Sequence, residues 1–198
     1  CYTMMKNMYK KEYSEVLDIF YGIHVSCVFG ENKEILGSNP EPFLMLDLQI
    51  PSTDSVNLFD CLDAYTCKEG LEESNQYIND EGKKVVAKQI QFFKLPDILI
   101  VTLKRFSNSI NKNQCLVDFP VNNMDLSPYV IGYDKDSYKY DLYGICNHRG
   151  GVTGGHYYAY VKNKNNVWYE FNDTAVTKIN IDKIKTPNAY CFFYRKKK

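Results

Sequence analysis

The sequence has little of what would assign it quickly to a function class. Its 198 residues include three histidines and one tryptophan, and no two cysteines stand in a CxxC spacing. Lys plus Arg and Asp plus Glu both total 24, so the formal net charge is zero. That balance, with no apolar run long enough to span a bilayer, predicts neither a nucleic-acid nor a membrane partner.

The seven cysteines are odd in number and widely spaced, which argues against a disulfide framework. We interpret them as reduced, buried thiols. With no signal peptide in the sequence, we expect a cytoplasmic and/or nuclear location. The first residue is Cys1 rather than Met, from which we expect that the chain derives from a longer protein.

Aromatic side chains, in contrast, are abundant: they make up 15% of the residues, with 17 tyrosines. Tyrosine favours strands, and 44% hydrophobic residues can bury a sizeable core, so we predict an α+β architecture. Helices are expected over 11–21 and over 56–65, the second capped by Ser55 or Asp54. Residues 31–40 are predicted as a loop or hairpin tip, and the apolar run 98–103 as a central strand buried on both faces. Further strands are predicted over 23–29, 43–50, 85–93, 138–147, 156–162, 167–171 and 190–194, with an antiparallel meander in the last third.

A glycine-rich loop carries the strongest chemical signal. Four glycines lie within residues 150–155, and a predicted strand begins with His156 directly after them. Glycine permits close backbone approach to a ligand, and no helix follows that would favour a phosphate site. A histidine fixed beside a loop without side-chain bulk is suited to act as a general base. A flexible hairpin turn is the simpler alternative.

A base histidine needs a polar group on its other ring nitrogen, and Asn172 is the candidate. The interval between His156 and Asn172 holds one strand, a polar turn over 162–166 and a second strand. A hairpin of that length brings the two side chains together. A nucleophile activated by such a pair is the arrangement of papain-like cysteine proteases, although His and Asn also meet by chance in hairpins.

Four blocks of sequence resemble a known family. They occupy 140–148, 154–160, 168–173 and 189–195, and read YDLYGICNH, GGHYYAY, WYEFND and AYCFFYR. The segment 95–106, LPDILIVTLKRF, precedes them. In this order, the blocks resemble the histidine box of the ubiquitin-specific proteases, and the resemblance extends over about 13–195.

The resemblance implies a papain-like cysteine protease fold. Residues 1–198 would then be part of one catalytic domain, with a mostly antiparallel β palm over about 95–195 and a finger-like β extension over about 23–94. It also implies hydrolysis of the bond after the C-terminal glycine of ubiquitin. The implied partners are ubiquitin and ubiquitinated proteins.

The same resemblance assigns roles to individual residues. His156 would be the general base, and Asn172 its orienting partner. Asp173 would be a supporting acidic residue.

The substrate-binding residues implied are Gly154, Gly155, Tyr157 and His148. The two glycines would line a passage narrow enough to admit only the terminal Gly-Gly of ubiquitin. Trp168 is expected to be a packing anchor behind the site.

The pattern departs from the family at the nucleophile. Family members carry it in an upstream Asn-x-Cys-Tyr box, and Cys1-Tyr2 matches only the dipeptide. The residues that follow do not continue the box, and there is no room for the helical region expected after it. We therefore expect the nucleophile on an N-terminal half of the same catalytic domain, which would be an obligatory partner of this chain.

A second departure concerns zinc. Many family members hold a zinc ion in the finger with two CxxC pairs, which here would fall over 27–30 and 79–82. Only Cys27 of the four ligands remains. One thiolate cannot hold a tetrahedral zinc, so we expect no metal and no other cofactor.

Two other function classes stay open. A non-catalytic ubiquitin-binding or scaffolding relative is the first, although such a protein would have no need of an oriented base at His156. The second is a structural β domain. It would not explain why a glycine loop, a histidine and an Asn-Asp pair occur in this order.

Overall fold

The computed structural model describes residues 14–53, 55–106 and 111–197. Within these ranges, helices α1 and α2 span Glu15–Phe20 and Leu58–Thr66. Strands β1 to β15 are, in chain order, Gly22–Gly30, Ile35–Phe43, Met45–Leu48, Val56–Asn57, Glu69–Gly70, Tyr77–Ile78, Lys84–Lys94, Ile98–Leu103, Val117–Asp118, Met124–Asp125, Lys139–Gly150, Gly155–Lys162, Trp168–Asn172, Ala175–Ile179 and Ala189–Lys196. No helix in the described ranges is both long and apolar enough to cross a membrane.

Two sheets organise the chain. The larger, which we call the palm sheet, has the strand order β14-β13-β12-β11-β15-β8-β3, with β10 paired to β11. The smaller, the finger sheet, has the order β2-β1-β7-β5, with β6 paired to β7. The predicted meander is present in β11 to β14, but β15 returns to the other side of β11. Strand β3 pairs in parallel with β8, so the palm sheet is mixed.

The main hydrophobic core packs one face of the palm sheet against α2. Leu99, Leu142 and Phe192 of three palm strands are fully buried there, as is Leu58 of α2. Trp168 is 3% exposed and belongs to this core, which confirms its expected role as a packing anchor. A separate small cluster holds the finger sheet together, built from Val25, Cys27, Phe29 and Ala87.

The predicted loop or hairpin tip over 31–40 is confirmed for 31–34, the turn between β1 and β2, and is wrong from Ile35 on, where strand β2 begins. Pro40 and Pro42 lie inside that strand. Since β2 is at the edge of the finger sheet, its outer side pairs with no strand of the described residues, and a missing N–H costs no ladder hydrogen bond there. The predicted strand over 43–50 is shorter than expected, and its regular part is Met45–Leu48.

The expected burial of 98–103 on both faces is also wrong. Side chains along β8 alternate, and only Leu99, Val101 and Leu103 are buried. The strand is central, between β15 and β3, but no described residue covers its second face fully. The apolar run therefore correctly indicated a central strand, but it did not indicate that both faces of that strand are buried.

The predicted helices are shorter than expected. Asn57 caps α2, with its Oδ1 accepting from the backbone N–H groups of Phe59 and Asp60 at 2.8 and 3.1 Å. Asp60 Oδ2 accepts in return from the N–H of Asn57 at 2.7 Å, which completes a capping box. Ser55 is therefore not the cap, and Asp54 lies outside the described residues. Helix α1 covers only Glu15–Phe20, and residues 11–13 are likewise not described.

Candidate active site

The glycine-rich loop joins β11 to β12 in a tight hairpin. Gly150 and Gly155 are register partners, and Gly150 has φ +118°, a conformation that favours glycine. The N–H of Gly151 donates to the carbonyl of Gly154 at 3.0 Å, which closes the turn. His156 follows as the second residue of β12 and is thereby held at the rim of the palm sheet.

The structure brings His156 and Asn172 together. Strands β12 and β13 form the expected hairpin, with Ala159 opposite Phe171. His156 Nε2 lies 2.6 Å from Asn172 Oδ1. The Asn172 Nδ2 donates to Glu170 Oε1 at 3.3 Å, so the amide oxygen faces the ring and accepts from Nε2–H. Nδ1 is then the ring nitrogen left free to take a proton.

Asp173 lies further from the ring than Asn172. Its Oδ2 is 4.0 Å from His156 Nε2, and its side chain is 78% exposed. Because Nε2–H is already given to the amide of Asn172, Asp173 can act on the ring only through its charge. A supporting role for Asp173 stays a prediction.

A small cleft lies beside His156, on the face of the palm sheet from which His156 projects. The Tyr158 ring stacks near the imidazole, with centroids 6.4 Å apart and planes at 16°. Asn188 Nδ2 donates to the Tyr158 hydroxyl at 3.0 Å. The cleft is lined by Arg149, His156, Tyr158, Tyr160, Glu170, Asn172 and Asn188.

His148 lies in a second cleft, beneath aromatic rings. It is 4% exposed, with the centroids of Tyr157 and Phe106 at 4.6 and 5.5 Å from its own. Burial and then the charge of Lys112 lower the pKa of His148. A Cβ on Gly155 would lie 2.1 Å from His148 Nε2. The absence of a side chain at Gly155 is therefore a packing requirement of His148, a reason that the sequence did not reveal.

The predicted site residues thus fall into two groups. Side chains alternate along β12, so His156 and Tyr158 face one side of the sheet, whereas Tyr157 faces the other with its register partner His148. Gly154 is exposed at the rim, and a Cβ there would meet no atom within 4 Å. Substrate binding by Gly154, Gly155, Tyr157 and His148 stays a prediction.

No cysteine among the described residues lines the His156 cleft. Cys146 is the register partner of both Ala159 and Cys191, so both thiols lie on the sheet face opposite to His156. Burial raises the pKa of the Cys146 thiol. The pKa of the Cys191 thiol is raised to about 12, first by burial and then by the nearby Cys146. Both thiols are therefore poor nucleophiles. Cys1 lies outside the described residues.

The described cysteines are all free, as expected, but burial was predicted too broadly. Only Cys27 and Cys61 are buried, and Cys67 is exposed. The others, Cys115, Cys146 and Cys191, are partly buried.

The tip of the finger sheet is closed without thiolates in the part that is described. Cys27 lies in the finger cluster, with its Sγ 3.8 Å from Gln91 Oε1. At the position of the second CxxC pair, Asn79 Oδ1 accepts from the N–H groups of Glu81 and Lys83 at 3.1 and 2.9 Å. Across residues 14–53, 55–106 and 111–197, no group of three or more His, Cys, Asp or Glu side chains could hold a metal. The expectation of a metal-free finger stays a prediction.

Sequence reasoning missed two residues that support the site. Glu170 is two residues from Asn172 on one strand, and that spacing could have placed both on one face. Arg105 is 1% exposed and donates to the carbonyls of Ala189, Asn113 and Cys115 at 2.8 to 3.0 Å. It ties the segment before β9 to the start of β15, and although Arg105 lies in the segment 95–106 that resembles the family, nothing in that segment names these distant partners.

Comparison with known proteins gives one consistent result. A sequence model of the ubiquitin carboxyl-terminal hydrolase family matches residues 3–194. Ubiquitin carboxyl-terminal hydrolase 9 of Arabidopsis thaliana is 42% identical over 149 residues, which cover 72% of this chain and 16% of that protein. Ubiquitin carboxyl-terminal hydrolase 15 of Homo sapiens is 38% identical over 152 residues, which cover 74% of this chain and 16% of that protein.

Solved structures agree. The chain is similar to one chain of the SAGA Ubp8/Sgf11/Sus1/Sgf73 DUB module bound to ubiquitin aldehyde, with a TM-score of 0.80 and 30% identity. That match covers 96% of this chain and 44% of the matched chain. The present chain therefore spans less than half of the length of this structural neighbour and a much smaller part of its curated relatives.

Proposed function

The chain belongs to the ubiquitin carboxyl-terminal hydrolase family and has its papain-like fold, and from this we propose that it supplies the general-base half of a thiol-dependent deubiquitinase. The proposed substrate bond is the one that follows the C-terminal glycine of ubiquitin. The 2.6 Å contact between His156 Nε2 and Asn172 Oδ1 is the observation that carries the proposal. It supports an imidazole held in one tautomer, as cysteine nucleophiles of papain-like proteases require.

The proposed reaction runs through His156. Its Nδ1 takes the proton of a cysteine thiol, and the thiolate attacks the carbonyl carbon of the terminal glycine. His156 then gives that proton to the departing amine, which leaves a thioester between enzyme and ubiquitin. A water molecule, deprotonated by the same nitrogen, hydrolyses the thioester and restores the thiol. Throughout, Asn172 accepts from Nε2–H and keeps the ring in place.

We place the nucleophile on a segment outside the described residues, on an N-terminal half of the same domain. The geometry of Cys146 and Cys191 supports this, because both lie on the sheet face away from His156. The coverage of 44% of a structural neighbour leaves room for such a segment. We further propose that the protein works in a reducing compartment, the cytoplasm or the nucleus.

The proposed substrate path crosses the rim of the palm sheet at Gly154 and Gly155. An extended Gly-Gly tail needs a passage without side chains beside its backbone, and the open surface at Gly154 supports such a passage. We propose that Tyr157 contacts the preceding residues of the tail, and its 56% exposure above His148 supports this. Ubiquitin and ubiquitinated proteins are accordingly the proposed partners.

Substitutions in the full-length protein test the proposal. His156→Ala should lower the rate of hydrolysis of a ubiquitin–fluorophore conjugate by roughly three orders of magnitude or more, since members of a catalytic unit depend on one another. Asn172→Ala should cost less, because it orients the ring and carries no proton. The control is Asp136→Asn, in the short 3-10 helix Lys135–Ser137 before β11, and it should keep the full rate.

Two results would count against the proposal. An unchanged rate in both site variants would exclude His156 as the base. A full-length protein that binds ubiquitin but hydrolyses no conjugate before substitution would favour the scaffolding alternative.

A further inference from the structure

The proposed base, His156, is hydrogen-bonded to the neutral amide of Asn172, and the carboxylate of Glu170 contacts the other end of that amide. Asn172 Nδ2 donates to Glu170 Oε1 at 3.3 Å, and Asn172 Oδ1 faces His156 Nε2 at 2.6 Å. Glu170 and Asn172 are two residues apart on β13, so both project from the face that carries His156. The three side chains form one continuous row.

We propose that Glu170 is a positioning residue of this site, which fixes the orientation of the Asn172 amide and lends a negative charge to the His156 imidazolium. The inference rests on the proposed function. It assigns two separable tasks to Glu170, one geometric and one electrostatic.

The geometric task follows from the hydrogen-bonding capacity of each group. An amide can present either its oxygen or its NH₂ to the imidazole, and only the oxygen can accept from Nε2–H. An ionised carboxylate accepts and never donates, so Glu170 pairs only with the NH₂ of Asn172. The oxygen is then the end that faces His156. Without Glu170, both orientations become accessible, and one of them sets two donors against each other.

The electrostatic task follows from the reaction. When His156 takes the thiol proton, it becomes a cation, and the neutral amide of Asn172 offers it no opposite charge. The carboxylate of Glu170, one side chain further away, supplies that charge. In the described part of the chain, Glu170 forms no ion pair with a Lys or Arg, so its charge is not neutralised at short range.

Other charged or titratable groups also face this cleft. Arg149 comes from β11, Tyr158 and Tyr160 from β12, and Asp173 from the turn after β13. Tyr160 is the register partner of Glu170, and its pKa is raised, first by burial and then by its neighbours, Glu170 among them. A Glu170 variant leaves all four of these groups, Arg149, Tyr158, Tyr160 and Asp173, unchanged.

The test measures kcat, KM and the pH profile of ubiquitin–fluorophore hydrolysis in the full-length protein. Glu170→Gln keeps an acceptor for Asn172 but removes the charge. It should lower kcat by about 3- to 10-fold with KM unchanged, as expected for a charge some 6–8 Å away at an effective dielectric constant of about 40–60. The acidic limb of the profile, on which the free base His156 becomes protonated, should move to lower pH, because the imidazolium loses a stabilising charge. Glu170→Ala removes both tasks and should lower kcat further.

A second background makes the test specific. In Asn172→Asp, the new carboxylate has no NH₂ to offer, so Glu170 faces a like charge. Adding Glu170→Gln should then lower kcat by a smaller factor than it does in the unaltered protein, because relief of the repulsion between the two carboxylates offsets part of the lost charge. A purely structural role for Glu170 would give the same factor in both backgrounds.

The outcomes separate this inference from the proposed function. Loss of activity in His156→Ala together with unchanged kcat and pH profile in Glu170→Gln would overturn the role of Glu170 alone. The same holds if Glu170→Gln lowers kcat by the same factor in both backgrounds. Full activity in His156→Ala would overturn the proposed function first. Asp136→Asn serves again as the charge control, and it should change neither kcat nor the profile.

Discussion

Gly155→Ala should destabilise the protein mainly through a clash with His148. A Cβ at this position would lie 2.1 Å from His148 Nε2, whereas ordinary contacts begin at 3.4 Å, so the imidazole would have to move by about 1.3 Å. His148 has little room to move, since Tyr157 and Phe106 pack on its ring and Lys112 Nζ bonds its carbonyl oxygen. Overpacking of this kind costs about 1–3 kcal/mol.

That cost can be measured by denaturation of the purified protein, followed by the fluorescence of Trp168, the only tryptophan of the chain. For a domain of this size we expect the melting temperature to fall by roughly 2–12 °C. Gly151→Ala is the matched control, because a Cβ there meets no atom within 4 Å. It should be neutral or stabilise by up to about 1 kcal/mol, since alanine restricts the unfolded chain.

A double-mutant cycle tests the cause. If the clash with His148 is responsible, Gly155→Ala should cost less than about 0.5 kcal/mol in a His148→Ala background. A penalty that persists in that background would refute the reasoning. So would a Gly155→Ala protein as stable as the unaltered one.

Two further predictions follow from the described contacts. Asn57→Ala removes the capping box of α2 and should lower the free energy of unfolding by about 1 kcal/mol in chemical denaturation. Ser55→Ala is the control and should leave the free energy of unfolding unchanged. Cys191 has a pKa of about 12 in the folded protein, above the value near 8.5 of an unfolded chain. Its contribution to stability is therefore full below about pH 8.5 and is lost as the pH rises toward 12. Alkylation at pH 8.5, followed by mass spectrometry, should label exposed Cys67 well before Cys191, and equal rates would contradict this.

The sequence was sufficient to predict contacts that arise within one hairpin. His156 and Asn172 meet because a strand, a short turn and a second strand must bring back the residue that follows them. The resemblance to the family was carried by sequence blocks in the same region, and the comparisons confirmed the family. Regular local structure of this kind leaves a pattern along the chain.

Contacts between distant segments left no such pattern. The strand that contains Pro40 was predicted as a loop, because its composition is that of a turn and only its position at the sheet edge tolerates it. The packing of Gly155 on His148 was missed for the same reason: a glycine in a loop is first explained by flexibility. Glu170 was missed because a single half-buried acid on a strand is ordinary until its partner is known.

The turn at Asn79 has a consequence for how the finger sheet forms. Its acceptor is an amide oxygen of the chain itself, bonded to the N–H groups of Glu81 and Lys83. These two hydrogen bonds form within a single chain and involve no thiol, so neither of them requires a thiol to ionise and neither can be blocked by an oxidant.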